Sequence, residues 1–399
     1  MTTNPGRVIL HCDCNNFFAS VELLKYPELR DKPVAVAGDP EGRHGIILAK
    51  NMAAKRLGVQ TAETIWQAKQ KCPGLILLPP HHDEYEAMSQ RVNEIYLSVT
   101  DQVEPFSVDE SWLDVTGSQR LFGDGKTIAD ELRRRIREEL GITISVGVSD
   151  NKSWAKLGSD YKKPDATTVI TSGNVSDILH PLPIQDMLFV GSAAAEVLRR
   201  HGVMTIGMLA ATPKESLVKW LGKQGEGLWD MANGLDHTPV RRWGEGEAVK
   251  SVGNGMTYPH DLKGEDAWKA GLMPLCDSVG SRLRAQHLKC RTVSLQIKDP
   301  QFKVISRQKT LSMPTSLTKV LFRETLGILH QCWPADAPIR LLTVTASSLC
   351  REDEAEVAQL SFLTDVKPDD PRQARIEQAM DEVRRRFGTE SLIPGARKI

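Results

Sequence analysis

At 399 residues the chain exceeds what one hydrophobic core usually holds, and 51 Lys plus Arg against 51 Asp plus Glu leave no net charge. With 40% hydrophobic and 26% charged residues it is neither collagen-like nor wholly disordered, and its apolar runs are strand-length, which excludes a membrane span. No apolar signal core follows Met1–Arg7, so cytoplasmic residence is expected.

Val8 to Cys12 is an apolar run ending at Asp13, and residues 17–24 follow with helical spacing, so Asp13 is expected where a strand enters a helix. Val34–Ala37 and Ile46–Ala49 read as strands, Asn51–Leu57 and Thr64–Lys71 as short helices, the second stopped by Pro73 and Gly74. Tyr85, Met88, Val92 and Ile95 mark a helix. Val103–Val115 predicts two strands joined tightly at Asp109 and Glu110, Ile128–Leu140 a helix closed by Gly141, and Ile142–Val148 a strand. This order of strand, helix, strand, strand, helix, strand is ferredoxin-like.

From Pro181 short helices punctuated by glycine predict a small helical domain, and Arg241–Lys250 reads as a linker. Beyond it, helices over 267–286 and 317–332 and strands over 292–298, 302–306 and 341–347 predict a second α/β unit. Ile376, Met380, Val383 and Phe387 mark an amphipathic helix in the tail. The fold class is therefore α+β and multidomain.

The seven cysteines (Cys12, Cys14, Cys72, Cys276, Cys290, Cys332 and Cys350) are odd in number and lack paired CxxC spacing, which predicts reduced thiols rather than disulfides or a zinc site. Charge is unevenly placed: residues 241–350 hold 16 basic and 9 acidic side chains, residues 1–240 hold 26 and 31. Arg282, Arg284, Lys289, Arg291, Lys298, Lys303, Arg307 and Lys309 have the footprint of a phosphate-backbone binder, and equally of a solvated basic face.

Asp13 closes one strand and Asp109 with Glu110 sits at a bend, so neighbouring strands would gather three carboxylates at one sheet edge. Oxygen-only ligands suit Mg²⁺, and a pair of such ions clamps the oxygens of a phosphoryl transfer. Spacing alone does not separate this from unrelated surface acids, since Asp and Glu are usually solvated.

The motifs go further. Asp13-Cys14-Asn15-Asn16-Phe17-Phe18-Ala19-Ser20-Val21-Glu22 resembles the opening motif of the Y-family translesion DNA polymerases, and Ser107-Val108-Asp109-Glu110-Ser111 resembles their second acidic motif. Ser145-Val146-Gly147-Val148, with Asn151-Lys152, Ala155-Lys156, Ser159-Asp160 and Lys163-Pro164, is similar to their palm helix and its phosphate-contacting lysine. The three stand in order across residues 8–170, and weaker similarity runs to about residue 350; the DNA polymerase IV (DinB-like) branch is the nearest.

The resemblance implies a ferredoxin-like palm (1–22 and 81–170), a fingers insert (23–80), a helical thumb (171–240), the linker (241–250), an α/β little finger (251–350) and a tail (351–399). It implies template-directed addition of deoxynucleotides to a primer, with a catalytically silent DNA-binding protein on the same fold as the rival. Asp13 and Asp109 would bind two Mg²⁺ ions, for which Mn²⁺ could substitute, with Glu110 on the primer-side ion and the Cys14 carbonyl on the nucleotide-side ion. Phe18 would be the steric gate that excludes a 2′-hydroxyl. Phe17, Met52, Lys55 and Lys163 would contact the nucleotide.

Ala49, Met52 and Lys55 stand where the family usually has Thr, Tyr and Arg, which leaves Lys50 as a substitute grip, and Asn15 replaces a frequent acid. Phe189-Val190-Gly191 replaces a Gly-x-Gly hairpin that would hold a DNA phosphate. Arg282, Arg284, Lys289, Arg291, Lys303 and Arg307 would line the duplex. Gln359, Leu360, Phe362 and Leu363 resemble the peptide that docks on a sliding clamp. Expected partners are primer-template DNA, deoxynucleoside triphosphates and the clamp, with no membrane and a monomeric chain.

Overall fold

The computed structural model describes residues 6–39, 45–246, 248–353, 370–388 and 391–392. The β-branched and apolar run at the amino end forms β1 (Ile9–Cys14), buried along its whole length. Asp13 thus lies at the carboxyl end of the strand, one residue before its last, as expected. The helix Phe17–Glu22 follows. β2 (Val34–Ala37), β3 (Ile47–Lys50) and β4 (Ile76–Leu78) make a three-stranded sheet of order β3-β2-β4. Its helix Ile65–Lys71 starts at a capping box in which Thr64 and Gln67 satisfy each other's backbone N–H.

Helix His82–Leu97 leads to β5 (Val103–Pro105) and β6 (Glu110–Asp114). Helix Gly125–Leu140, capped by Asp124 and closed by Gly141 at φ 73°, leads to β7 (Ile144–Ser149). β8 (Thr167–Val169) adds a parallel edge, and the sheet order β5-β6-β1-β7-β8 contains the ferredoxin-like arrangement. Leu10, Tyr85, Leu113, Ile128 and Ile144 belong to the core between this sheet and its two helices.

Two glycines set how one helix sits on the sheet. A Cβ on Gly147 would lie 1.8 Å from the Ala155 carbonyl oxygen, and one on Gly158 would lie 3.1 Å from the Gly147 Cα. Helix Lys152–Tyr161 therefore rests directly on β7. Its far side carries Trp154 and Leu157 into a helical core that also holds Ala195, Leu209, Leu217 and Leu228.

The described residues up to Gly246 form one compact unit and those from Ala248 onward a second. The first part of the expected linker belongs to the first unit, because Arg241 pairs with Glu104 and the Trp243 N–H donates to the Asp101 carbonyl. The second unit contains β9 (Ser251–Leu262), β10 (Leu288–Lys298), β11 (Val304–Thr315) and β12 (Ile339–Arg351) in the order β11-β10-β12-β9, all antiparallel. Helices Gly264–Ala285 and Thr318–Cys332 bury Trp268, Leu275 and Leu321 with inward residues of the strands. β9 escapes sequence reading because Gly253, Gly255 and Pro259 interrupt it.

The tail helix Pro371–Phe387 packs on this second unit through charge. Glu377, buried, accepts the backbone N–H of Thr318 at 2.8 Å and so caps helix Thr318–Cys332, whose own N-cap residue Leu317 offers no side-chain oxygen. All seven cysteines are free, as expected.

Candidate active site

Antiparallel pairing places Asp13 directly opposite Glu110 across β1 and β6, and the Cys14 N–H donates to the Asp109 carbonyl at 2.9 Å. The three acidic residues are thereby brought to one end of the sheet. Asp13 Oδ2 is paired with Lys163 Nζ at 2.6 Å, and Glu110 Oε2 with Lys156 Nζ at 2.6 Å. Asp109 accepts from the Ser107 hydroxyl at 2.6 Å.

Burial raises the pKa of Asp13, and the charge of Glu110 adds to that, against the opposing pull of Lys163. Burial also pushes Glu110 upward, yet the facing His11 ring and the hydrogen bond and charge of Lys156 outweigh it and hold Glu110 below the usual carboxylate range. His11, fully buried with Nε2 3.4 Å from Glu110 Oε2 and Nδ1 2.8 Å from Ser159 Oγ, is lowered to about 4 chiefly by burial and is uncharged at neutral pH.

As the side chains stand, no three His, Cys, Asp or Glu groups among the described residues converge tightly enough to hold a metal ion. Two of the three carboxylates are instead paired with lysines. The donor set nevertheless fits a divalent cation: three carboxylates share one sheet end, and Asp13 is buried there with Lys163 against it. The Cys14 thiol is buried with its pKa raised, which leaves its backbone carbonyl as the oxygen it can offer.

The remaining expected contacts divide. Phe18 stacks on Tyr85 with ring centroids 4.1 Å apart and meets His82 edge-on at 5.8 Å, so its orientation is set from behind. Tyr85 and His81 both bond the buried Glu22 carboxylate. Phe17 instead turns into the core, so its ring is not a nucleotide contact. Met52 opens the short helix Met52–Arg56 and Lys55 lies exposed in its last turn, while Lys50 donates to Thr61 at 2.9 Å.

Sequence reading gave no role to His11 or Lys156. The signal for Lys156 was available: Ser159 and Asp160 stand three and four residues after it on one helix, which places the three on one face, and Lys163 follows just past the helix end.

In the helical domain Phe189 takes φ 67°, the left-handed conformation the missing glycine would have supplied, with its ring 57% exposed and its carbonyl bonded by Gln224. Gly191 N-caps helix Ser192–Arg200 at φ −74°, a conformation that does not demand glycine.

The basic residues of the second unit do not share one face. In the β10–β11 ladder Arg307 lies opposite Leu295 and Lys309 opposite Val293, so both follow the helix-covered side, and Lys309 pairs with Glu324. Arg284, with its side chain 7% exposed, is bound by Glu377 and Asp381 at 2.6 Å each. This removes Arg284 from the duplex-lining set, because a buried guanidinium already paired twice has nothing left for phosphate. Arg282 is exposed and donates to the Gly253 carbonyl, Lys303 is exposed at a turn, and Lys289 and Arg291 are half-buried. The open sheet face carries Ser294, Gln296, Lys298, Thr343 and Thr345. Gln359, Leu360, Phe362 and Leu363 lie outside the described residues.

Residues 12–160 match the model of the impB/mucB/samB family, and residues 249–362 match that family's C-terminal domain. The chain is 46% identical over 392 residues to a DNA polymerase IV of Acetivibrio thermocellus, covering 98% of this chain and 97% of that one. It is 37% identical to DNA polymerase IV 1 of Bacillus subtilis, covering 98% and 94%. A solved Y-family DNA polymerase chimera superposes with a TM-score of 0.75 at 24% identity, over 86% of this chain and 99% of the other. Motifs, sheet order and whole-length kinship agree: the chain has the fold of a Y-family DNA polymerase and belongs to the impB/mucB/samB family, in the DNA polymerase IV group.

Proposed function

We propose that the chain adds deoxynucleotides to a primer 3′ end as the template directs, and does so past damaged bases. The observation that carries this is Asp13 facing Glu110 beside Asp109, with Lys163 seated on Asp13. Asp13 and Asp109 would hold two Mg²⁺ ions, or Mn²⁺ in their place, with Glu110 and the Cys14 carbonyl completing the set; the ions supply a sharpened nucleophile and a neutralised leaving group. Lys163 and Lys156 neutralise the carboxylates when no nucleotide is bound. Lys163, a point charge on a flexible stem, then turns to the triphosphate. Lys50 and Lys55 close the same grip from the fingers, because Met52 has no proton to donate.

Phe18, backed by Tyr85, lies where a sugar 2′-hydroxyl would collide with it. The polar open face of the second unit, with Arg291 and Lys298, lies against the duplex, and the amino end of helix Ser192–Arg200 takes a DNA phosphate. Residues 1–22 and 81–170 act as palm, 23–80 as fingers, 171–240 as thumb and 251–350 as little finger. Gln359, Leu360, Phe362 and Leu363 dock on a sliding clamp.

The test is primer extension by the purified full chain on an undamaged and a lesion-bearing template. Addition of the template-complementary nucleotide, abolished by chelating divalent cations, is the expected result. No addition in the presence of Mg²⁺ or Mn²⁺ would leave a DNA-binding protein without polymerase activity.

A further inference from the structure

The turn that carries Lys163 is fixed from behind. Two residues beyond it, Asp165 holds a left-handed backbone at φ 52°, a conformation Asp tolerates better than most residues. All its polar groups are engaged. Its N–H donates to Asn15 Oδ1 at 2.8 Å, and its carbonyl accepts from Arg133 Nη2. One carboxylate oxygen accepts from Arg133 Nε at 3.1 Å and Nη2 at 2.9 Å, and the other from Arg137 Nη2 at 2.6 Å.

Asn15 ties this knuckle to the catalytic strand. Only 5% exposed, it follows Asp13 and Cys14; its Oδ1 also accepts from Thr143 Oγ1 at 3.0 Å, and its Nδ2 donates to Ser145 Oγ at 2.9 Å. The end of β1, the start of β7 and helix Gly125–Leu140 all converge on a residue two positions from Lys163.

We propose that Asn15 and Asp165, with Arg133 and Arg137, are positioning residues for Lys163, setting where its ammonium stands relative to Asp13 and hence how tightly a nucleoside triphosphate is held. This rests on the polymerase reading above. A lysine's four-carbon stem has little direction of its own, so its backbone must supply the aim. A role in stability alone accounts poorly for Arg137, whose side chain is about half exposed, because exposed ion pairs contribute little to folding.

The experiment is single-nucleotide addition by the full-length chain at varied nucleotide concentration. Asn15→Ala is expected to raise KM about tenfold with kcat within about twofold of wild type, as the loss of a buried hydrogen bond that aims a charged group predicts. Asn15→Asp keeps the acceptor for the Asp165 N–H and restores KM. In a Lys163→Ala background Asn15→Ala causes no further change. Arg137→Ala, a milder change at an exposed site, raises KM about threefold without lowering the thermal midpoint, and it decides the matter if Asn15→Ala does not fold.

A KM unaltered in either folded variant overturns the proposal. So does an equal rise with and without Lys163, or a fall in kcat alone. If the wild-type chain adds no nucleotide, the polymerase reading fails first and takes the proposal with it.

Discussion

Phe18 shows how much one side chain can decide. Its ring is held face to face with Tyr85, whose hydroxyl is tied to the buried Glu22, so the aromatic wall is rigid where a flexible one would yield to an extra hydroxyl. Phe18→Ala should leave addition of deoxynucleotides within about tenfold of wild type and admit ribonucleotides, since the steric term is removed while the hydrogen-bonded groups stay. Comparing kcat/KM for a ribonucleotide and its deoxy counterpart reads this directly; unchanged sugar selectivity would place the gate on another residue. Phe17, one position earlier, warns against reading the motif as a block, because its ring packs with the core.

At the scale of elements, helix Lys152–Tyr161 brings Lys156, Ser159 and Asp160 to the carboxylates, and it can do so because Gly147 and Gly158 let it lie on β7. Gly147→Ala forces its methyl into the Ala155 carbonyl and should cost about 3 kcal/mol of stability, with nucleotide addition falling as the helix is displaced. Thermal unfolding beside primer extension checks it, and a variant as stable and active as wild type would show that the helix has room to move.

The same elements show what was legible. Strands β1 and β6 and helix Gly125–Leu140 announce themselves by period and caps, because their apolar faces meet one core, and β2 does so against a smaller core of its own. β9 did not, as its glycines and proline serve close contacts such as Gly255 beside Thr343, which no propensity records. The carboxylates could be placed by their strands, but their pairing with Lys156 and Lys163 is a tertiary fact.

For the molecule as a whole, charge bookkeeping along the chain pointed to the second unit, and the structure redistributes that charge. Arg284 serves the tail helix, and Lys309 serves Glu324, so fewer cations remain for phosphate than the count suggests. Arg284→Ala should lower the thermal midpoint, since it strands buried Glu377, at a cost of about 3 kcal/mol, while the salt dependence of DNA binding stays as it was. Arg291→Ala with Lys298→Ala should instead reduce the slope of log K against log salt by about 1.8, at roughly 0.9 per phosphate contact. Fluorescence anisotropy of a labelled primer-template across a salt series distinguishes them; the opposite pattern would restore Arg284 to the DNA face.

The central claim is that Asp13, Asp109 and Glu110 form the seat of the chemistry, separate from the surfaces that hold DNA. Asp109→Ala tests it most directly, because Asp109 sits at the bend before β6 and, among the described residues, its side chain hydrogen-bonds with Ser107 while its contact to Cys14 runs through the backbone carbonyl that alanine keeps. Measured together in one buffer with Mg²⁺, primer extension should be abolished to below about one part in a thousand of wild type while primer-template affinity stays within about twofold. Extension close to wild type from a variant that still binds DNA would contradict the account.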